Sequence, residues 1–346
     1  MKISFKNDYS EGCHPKILER LVETNLITTV EGNYGEDRFS ENAKSLIHEH
    51  LQSPASDIHL VSGGTQANLL VISAMLRPFE AVIAVDTGHI ATHETGAIEA
   101  TGHKVITVAS DGGKIEISKI KSVLKEHHFE HMVKPRMIYI SNTTELGSVY
   151  NKTALSELKK FCEEHDLYLF LDGARLGSAL AAESSDLSLK DLARLTDVFY
   201  IGGTKNGALL GEAIVINNPL LQPYFRYHTK QKGALLAKGR VLGIQFETLF
   251  TDDLFFKIGQ EMNEKAMKLA KGIKDKGYHF YLPPTSNQIF PILDHDLLAT
   301  LKNDFEFTPW LEMDENNTAI RLVTSWATPE SNISKFLKKL PIKIVN

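Results

Sequence analysis

Three short segments of the 346-residue chain carry residue types that could act together in catalysis. In Ser62-Gly63-Gly64-Thr65, glycines precede a hydroxyl group at the expected start of a helix, where free backbone N–H groups can bind phosphate. Asp172 and Arg175 follow one apolar run, and Lys205 stands in a glycine-rich loop after another. Partial burial near cations would lower the pKa of such a lysine and favour its attack on a carbonyl carbon.

Each segment alone has an ordinary structural explanation: a simple turn, a capping aspartate, a surface lysine. Their order is more specific, because a phosphate turn is followed by Asp172 and then, 33 residues later, by Lys205. This order predicts a site for pyridoxal 5′-phosphate (PLP). Lys205 would form a Schiff base with the cofactor, and Asp172 would keep the pyridine nitrogen protonated so that the ring acts as an electron sink. Arg175 could clamp a substrate carboxylate through two hydrogen bonds.

The elements that position these residues follow from hydrophobic patterning. Between residues 58 and 216, short apolar runs typical of strands buried on both faces alternate with amphipathic segments typical of helices. The predicted strands are Ile58–Val61, Ala81–Val85, Lys104–Val108, Met137–Ile140, Leu167–Leu171, Val198–Ile201 and Ala213–Ile216, and the predicted helices are Thr65–Met75, His89–Ala100, Ser118–His127 and Thr153–His165. The fold class is therefore α/β, a mostly parallel seven-stranded sheet flanked by helices, with ligands bound at the carboxyl ends of the strands.

After residue 240 the pattern changes to that of a smaller α+β domain. The segments that indicate it are a helix Phe255–Lys276, a strand Ile289–Leu293, a helix Leu297–Asn303 and a strand Ala319–Val323. We therefore expect an N-terminal arm (1–25) that joins the small domain or covers the site, a large PLP-binding α/β domain (26–240) and a small α+β domain (241–346).

Further motifs extend the pattern over nearly the whole chain: Tyr34-Gly35-Glu36-Asp37, Gly64-Thr65-Gln66-Ala67-Asn68, Gly88-His89, Asn142-Thr143, Asp172-Gly173-Ala174-Arg175, Lys205 and Ile320-Arg321-Leu322-Val323-Thr324. In these motifs the chain resembles the fold-type I PLP enzymes, and among them the L-threonine aldolase and β-eliminating lyase family. The resemblance implies a PLP-dependent lyase that cleaves β-hydroxy-α-amino acids, such as threonine or allo-threonine, to glycine and an aldehyde (acetaldehyde).

The resemblance also implies individual roles. Catalysis is expected from Lys205, His89 and Asp172; cofactor binding from Gly64, Thr65, His89, Asn142, Asp172, Arg175, Lys205 and Lys238; and substrate binding from Asn7, Asp8, Tyr34, Arg175 and Arg321. His89 would stack on the pyridine ring, and His89 or an ordered water would remove the β-hydroxyl proton. Family members commonly share sites across a homodimer or homotetramer, with a basic residue such as Lys238 reaching the neighbouring subunit's phosphate.

Two positions depart from the family pattern. Thr144 stands where the aldolases usually carry a histidine associated with the substrate's β-hydroxyl, and Ser141 stands where glutamate is typical. Because both changes lie beside the expected substrate side chain, PLP-dependent β-elimination, transamination or racemisation of another amino acid is the alternative reaction. His93 and His228 are candidates to compensate.

Two alternatives from other classes are less favoured. Retention of Lys205, Asp172 and two arginines argues against a protein that only binds or regulates, and the absence of a G-x-G-x-x-G motif argues against a nicotinamide-binding Rossmann protein.

Composition bounds the remaining possibilities. A net charge of -5 disfavours nucleic acid as a partner. Cys13 and Cys162 are too few for a disulfide framework and indicate free thiols in a reducing cytosol. The sequence shows no signal peptide, no apolar run approaching the roughly 20 residues of a membrane span, and no cluster of metal ligands. We expect a cytoplasmic enzyme whose partner is a small amino acid.

Overall fold

The computed structural model of the chain describes residues 2–27 and 32–343. Its strands are β1 (Ile3–Ser4), β2 (Asp57–Val61), β3 (Glu80–Val85), β4 (Val105–Val108), β5 (Lys134–Ser141), β6 (Tyr168–Asp172), β7 (Val198–Gly202), β8 (Glu212–Ile216), β9 (Gln288–Ile289), β10 (Ile292–Asp294), β11 (Phe305–Glu306), β12 (Thr308–Glu312) and β13 (Asn317–Val323). Its α-helices are α1 (Pro15–Thr24), α2 (Arg38–Leu51), α3 (Gly64–Met75), α4 (His89–Thr92), α5 (Ile117–Glu126), α6 (Lys152–Glu164), α7 (Leu176–Leu180), α8 (Leu189–Leu195), α9 (Phe225–Gln231), α10 (Arg240–Phe250), α11 (Leu254–Asp275), α12 (His295–Leu301) and α13 (Glu330–Lys339).

Within the described residues, seven strands form the central sheet in the order β2-β8-β7-β6-β5-β3-β4. Neighbouring strands run parallel except at β8, which is antiparallel to both β2 and β7. The predicted α/β class with a mostly parallel seven-stranded sheet is therefore confirmed. The parallel strands β3, β5, β6 and β7 bring their carboxyl ends to one edge, where the loops that follow them can share a site.

Both faces of the sheet are covered by helices. In β3, Ile83 and Val85 belong to the apolar cluster on one face, while Val82 and Ala84 belong to the cluster on the other, as the period of two in a strand requires. The first cluster includes residues of α5, α6 and α8, and the second includes residues of α3 and α9. The sheet edge that carries the candidate site is thus held on a rigid core.

The smaller sheet lies toward the C-terminus, with β13 between β10 and β12 and paired also with β9. A separate apolar cluster supports it, drawn from the second half of α11, from α12 and α13, and from Phe5. The N-terminal segment joins this part, because β1 pairs with β11 and the Phe5 ring lies 5.6 Å from Phe336. The domain division at residue 240 stays a prediction; Phe246 and Leu249 of α10 pack in the core beneath the large sheet.

Two predicted elements are corrected. The helix predicted over residues 89–100 ends at Thr92, since Thr95 and Gly96 take positive φ angles (53° and 72°), and a 3₁₀ turn at Glu99–Thr101 follows. The strand predicted over residues 289–293 is divided around Pro291, which has no N–H to donate to a ladder. In the part of the chain that the structure describes, no helix has both the length and the apolar character to cross a membrane.

Candidate active site

A cavity of ≈ 310 Å³ opens at the carboxyl edge of the central sheet. Its volume falls within the range of about 300–1,000 Å³ typical of small-molecule sites. Six of the predicted site residues line it: Gly64, Thr65, His89, Asp172, Arg175 and Lys205. They come from the ends of β2, β3, β6 and β7, so the topology of the sheet assembles residues that are far apart in sequence.

Asp172, the last residue of β6, is buried and strongly hydrogen-bonded. Its Oδ2 accepts hydrogen bonds from the Tyr139 hydroxyl (2.5 Å) and from Asn68 Nδ2 (3.1 Å), and its Oδ1 accepts one from the Ala174 backbone (2.9 Å). Burial alone would raise the pKa of Asp172, but the nearby His89 and the tyrosine hydrogen bonds outweigh it and leave the pKa lowered. The structure therefore keeps a buried carboxylate ionised at the cavity floor.

Lys205 lies half-buried in the loop after β7, where it lines the cavity. Its Nζ is 5.8 Å from the centre of the Tyr9 ring. Burial and then the positive charge of Arg175 lower the pKa of Lys205, partly offset by nearby carboxylates. A lowered pKa increases the fraction of neutral amine, which is the nucleophilic form.

Glu212, at the start of β8, lines the same cavity as Lys205. Its Oε2 accepts a hydrogen bond from the Gly203 backbone (3.0 Å). Burial raises the pKa of Glu212 to about 8, against the opposing effect of a hydrogen bond with Thr204 and the charge of Lys205. Sequence reasoning missed this residue, because a glutamate at the edge of an apolar strand gives no local signal.

The arginine expected to bind a substrate carboxylate already holds an internal one. Arg175 donates from Nε to Asp8 Oδ2 (2.7 Å) and from Nη2 to Asp8 Oδ1 (2.9 Å). Asp8 Oδ2 also accepts from Asn287 Nδ2 (2.9 Å), so the N-terminal segment, the large sheet and the small domain meet at this carboxylate. Although burial would raise it, the pKa of Asp8 is lowered by Arg175 and Lys205.

His89 is fixed by a carboxylate that the sequence did not single out. Its Nδ1 lies 2.7 Å from Glu94 Oε1, and the same oxygen accepts a hydrogen bond from Asn68 Nδ2 (2.7 Å). Because Asn68 also donates to Asp172, a continuous set of hydrogen bonds joins His89 to the aspartate through Glu94 and Asn68. Glu94 reaches His89 because the helix has ended before the turn at Thr95. The regular helix predicted from the sequence did not suggest this contact between Glu94 and His89.

The glycine turn before α3 has the features of a phosphate cradle. Gly63 caps this 12-residue helix without a side-chain hydrogen bond, which leaves N–H groups of the first turn free. A Cβ added at Gly63 would meet nothing within 4 Å, whereas one at Gly64 would lie 3.1 Å from the Tyr200 hydroxyl. The turn therefore offers open space and backbone donors beside the cavity.

Arg321 lies near this site without lining the cavity. Its guanidinium carbon is 5.3 Å from the centre of the Trp310 ring, and its Nη2 is 3.5 Å from the Lys6 carbonyl. Its Nε is buried without a partner among the described residues. Burial and then the charge of Arg175 lower the pKa of Arg321, so the two guanidinium groups influence one another.

Four other predicted residues are not among those that line the cavity. Asn142 is buried and accepts a hydrogen bond from the Tyr150 backbone (3.1 Å), and Asn7 caps a turn by accepting from Tyr9 N and Ser10 Oγ. Tyr34 lies on the surface with its ring 4.3 Å from Lys230 Nζ, and Lys238 lines a separate cleft beside Asp37. Within one chain, the structure does not bring these four to the candidate site.

The residues of the cavity fit PLP. Free backbone donors at Gly64 and Thr65 suit a phosphate, the ionised Asp172 suits a protonated ring nitrogen, and Lys205, with its lowered pKa, suits an aldehyde. Among the described residues, no group of three or more His, Cys, Asp or Glu side chains is arranged to hold a metal ion.

Comparisons with known proteins agree with this geometry. The family model described as β-eliminating lyase matches residues 24–295. A low specificity L-threonine aldolase of a Pseudomonas strain is 31% identical over 310 residues, which is 88% of this chain and 87% of that protein. A solved structure described as a threonine aldolase of Leishmania major is 50% identical with a TM-score of 0.95, covering 97% of this chain and 98% of that one. A Thermus thermophilus aspartate aminotransferase variant shares the fold alone, at 13% identity and a TM-score of 0.72, covering 98% of this chain and 90% of that chain.

Proposed function

This chain belongs to the β-eliminating lyase family, and we propose that it is a PLP-dependent aldolase that cleaves β-hydroxy-α-amino acids, with threonine and allo-threonine as substrates, to glycine and an aldehyde. The family and the lyase class predicted from the sequence are confirmed. The observation that carries the proposal is one cavity in which Lys205, Asp172, Arg175 and His89 meet beside a glycine turn.

In this proposal, Lys205 holds the cofactor covalently, while Gly64 and Thr65 bind its phosphate. Asp172 pairs with the ring nitrogen, supported by the Tyr139 and Asn68 hydrogen bonds that keep it ionised. Bound PLP supplies an electron sink for the carbanion that remains at the substrate's α-carbon when a bond to that carbon breaks.

The substrate's carboxylate is bound by Arg175, with Arg321 adding positive charge nearby. Asp8 uses the Nε–H and one N–H of Nη2, so both N–H groups of Nη1 and the second of Nη2 remain for the substrate. The Asp8 contact also orients the guanidinium plane.

His89 is placed to move a proton. Because Nδ1 is held at Glu94 Oε1, the other ring nitrogen, Nε2, is the one available toward the substrate. A neutral Nε2 can accept the proton of the β-hydroxyl as the carbonyl of the aldehyde forms.

The proposal extends to assembly and compartment. We propose a homodimer or homotetramer in which Tyr34 or Lys238 acts at a shared site, because neither residue is among those that line the cavity of its own chain. Three large apolar side chains along one side of α1 and just beyond it are exposed and suit burial against another copy: Leu18, Val22 and Leu26.

We also propose a cytoplasmic location, in keeping with the free thiols of Cys13 and Cys162.

The test is product analysis with purified holoenzyme and a panel of L-threonine, L-allo-threonine, serine and cysteine. We expect acetaldehyde and glycine in equal amounts from threonine, and none from the Lys205→Ala variant. Pyruvate or 2-oxobutyrate with ammonia, formed without an aldehyde, would indicate β-elimination and contradict the proposal.

A further inference from the structure

Thr144, which stands where the resembling aldolases usually carry a histidine, does not face the substrate site. Its hydroxyl shares a hydrogen bond with Ser148 Oγ (2.8 Å) and accepts one from Ser148 N (3.2 Å). A Cβ added at Gly113 would lie 2.9 Å from Thr144 Oγ1, so the side chain packs against Gly113. The residue is fully buried in that turn, outside the lining of the cavity.

Glu145, the next residue, does line the cavity. Its Oε1 accepts hydrogen bonds from Ser141 Oγ (2.7 Å) and from the backbone N–H of His89 (2.9 Å). Ser141 is the second position that departs from the family pattern, and its hydroxyl anchors this carboxylate. The departure at Ser141 is therefore accompanied by a glutamate four residues further along, which supplies a carboxylate to the cavity.

The second carboxylate oxygen of Glu145, Oε2, is buried and has no hydrogen-bond partner in the part of the chain that the structure describes. Of the described residues that line the cavity, Glu145 alone has a buried side-chain oxygen or nitrogen without a partner. Burial raises the pKa of Glu145, and the charge of Asp172 adds to that effect. An unpaired buried carboxylate oxygen is costly, so a ligand that donates a hydrogen bond here would relieve the cost.

A β-hydroxy amino acid has one polar group left once its carboxylate is at Arg175 and its amine has taken the place of the released Lys205 amine. That group is the β-hydroxyl, which can donate a hydrogen bond. We propose that Glu145 Oε2 accepts this hydrogen bond in the bound substrate, before the hydroxyl turns to His89 Nε2 for proton transfer, and is the residue by which the enzyme selects β-hydroxy amino acids over analogues without a hydroxyl. The inference rests on the proposed function and names the specificity residue of the same site.

The experiment compares ligands with and without the β-hydroxyl, each bound to enzyme with and without the Glu145 carboxylate, as in a double-mutant cycle. Binding of threonine, 2-aminobutyrate and glycine to the holoenzyme is followed by the visible absorbance of the cofactor, with threonine measured by stopped flow before turnover. Glu145→Gln preserves the shape of the side chain and an oxygen for Ser141 and His89. Should it fail to fold, Glu145→Asp, which withdraws the carboxylate by one methylene, takes its place.

We expect the wild type to bind threonine about 10–100-fold more tightly than 2-aminobutyrate, as suits a hydrogen bond to a charged group. In Glu145→Gln this advantage should fall to about 3-fold or less, while glycine binding changes by less than about 2-fold. The matched control is Thr144→Ala, one residue earlier, which should leave both ratios unchanged.

Equal weakening of glycine and threonine in Glu145→Gln would overturn the inference, because Glu145 would then act on the cofactor or on the shape of the site. The inference would also be overturned if Glu145→Gln kept the wild-type preference for threonine over 2-aminobutyrate. Failure of the proposed function gives a different result: a wild type that shows the Glu145-dependent advantage but releases no aldehyde would contradict the reaction and support the recognition.

Discussion

Asp8 occupies two of the hydrogen-bonding groups through which Arg175 would bind a substrate, at 2.7 and 2.9 Å. Asp8 is fully buried and the Arg175 side chain is largely buried, and the pair links the N-terminal segment to the end of β6 and, through Asn287, to the small domain. The active site is therefore built around an internal ion pair, which has consequences for both stability and substrate binding.

Removing Asp8 should destabilise the protein. Asp8→Ala leaves the Arg175 guanidinium buried without its partner, and we expect a loss of about 3–5 kcal/mol in the free energy of unfolding. Urea denaturation measures it. The control is Asp304→Ala, which breaks the exposed Lys339–Asp304 pair (2.7 Å) and should cost no more than about 1 kcal/mol. Equal losses in the two variants would show that the Asp8 pair is not structural.

Neutralising Glu94 should slow catalysis without weakening substrate binding. Glu94→Gln removes the charge that fixes His89 Nδ1, and we expect kcat to fall about 10–100-fold, as for other residues that orient a functional histidine. The matched control is Glu99→Gln, the same change at an exposed position five residues along. A kcat for Glu94→Gln equal to that of the control would show that Glu94 does not orient His89 for catalysis.

Much of this arrangement could be predicted from the sequence. The apolar runs of β2, β6 and β7 are four or five residues long, and the residues after them must lie at one edge of a parallel sheet. Asp172 and Lys205 were therefore identified by position as well as by type. The strands gave a strong signal because burial on both faces demands nearly continuous hydrophobicity.

Other parts of the site could not be predicted. The contact between Glu94 and His89 depends on the left-handed turn at Thr95 and Gly96, which interrupts an apparently helical segment. Glu145 reaches the cavity only because the loop after β5 folds back onto the start of α4. Tyr34 and Lys238 were assigned by resemblance to enzymes whose subunits share sites, and a pattern within one chain does not determine where they act.

Glu212 should make stability depend on pH in the cofactor-free protein. Its pKa is raised from 4.5 to about 8, so the folded state holds an extra proton between these values. Stabilisation relative to the unfolded chain is thus complete below pH 4.5 and is lost as the pH rises toward 8.

We expect the unfolding free energy of the wild type to fall by about 1–4 kcal/mol more than that of Glu212→Gln over this range. Urea denaturation at about pH 5 and about pH 8 measures the difference. Parallel pH profiles for the two proteins would mean that Glu212 titrates as an ordinary exposed glutamate.

The most direct test of the central claim is to reduce the holoenzyme with borohydride and map the modified peptide by mass spectrometry. The account predicts that the cofactor is attached at Lys205, and that Lys205→Arg retains neither the attachment nor aldehyde release from threonine. Attachment at another lysine, such as Lys230 or Lys238, or aldehyde release that persists in Lys205→Arg, would contradict it.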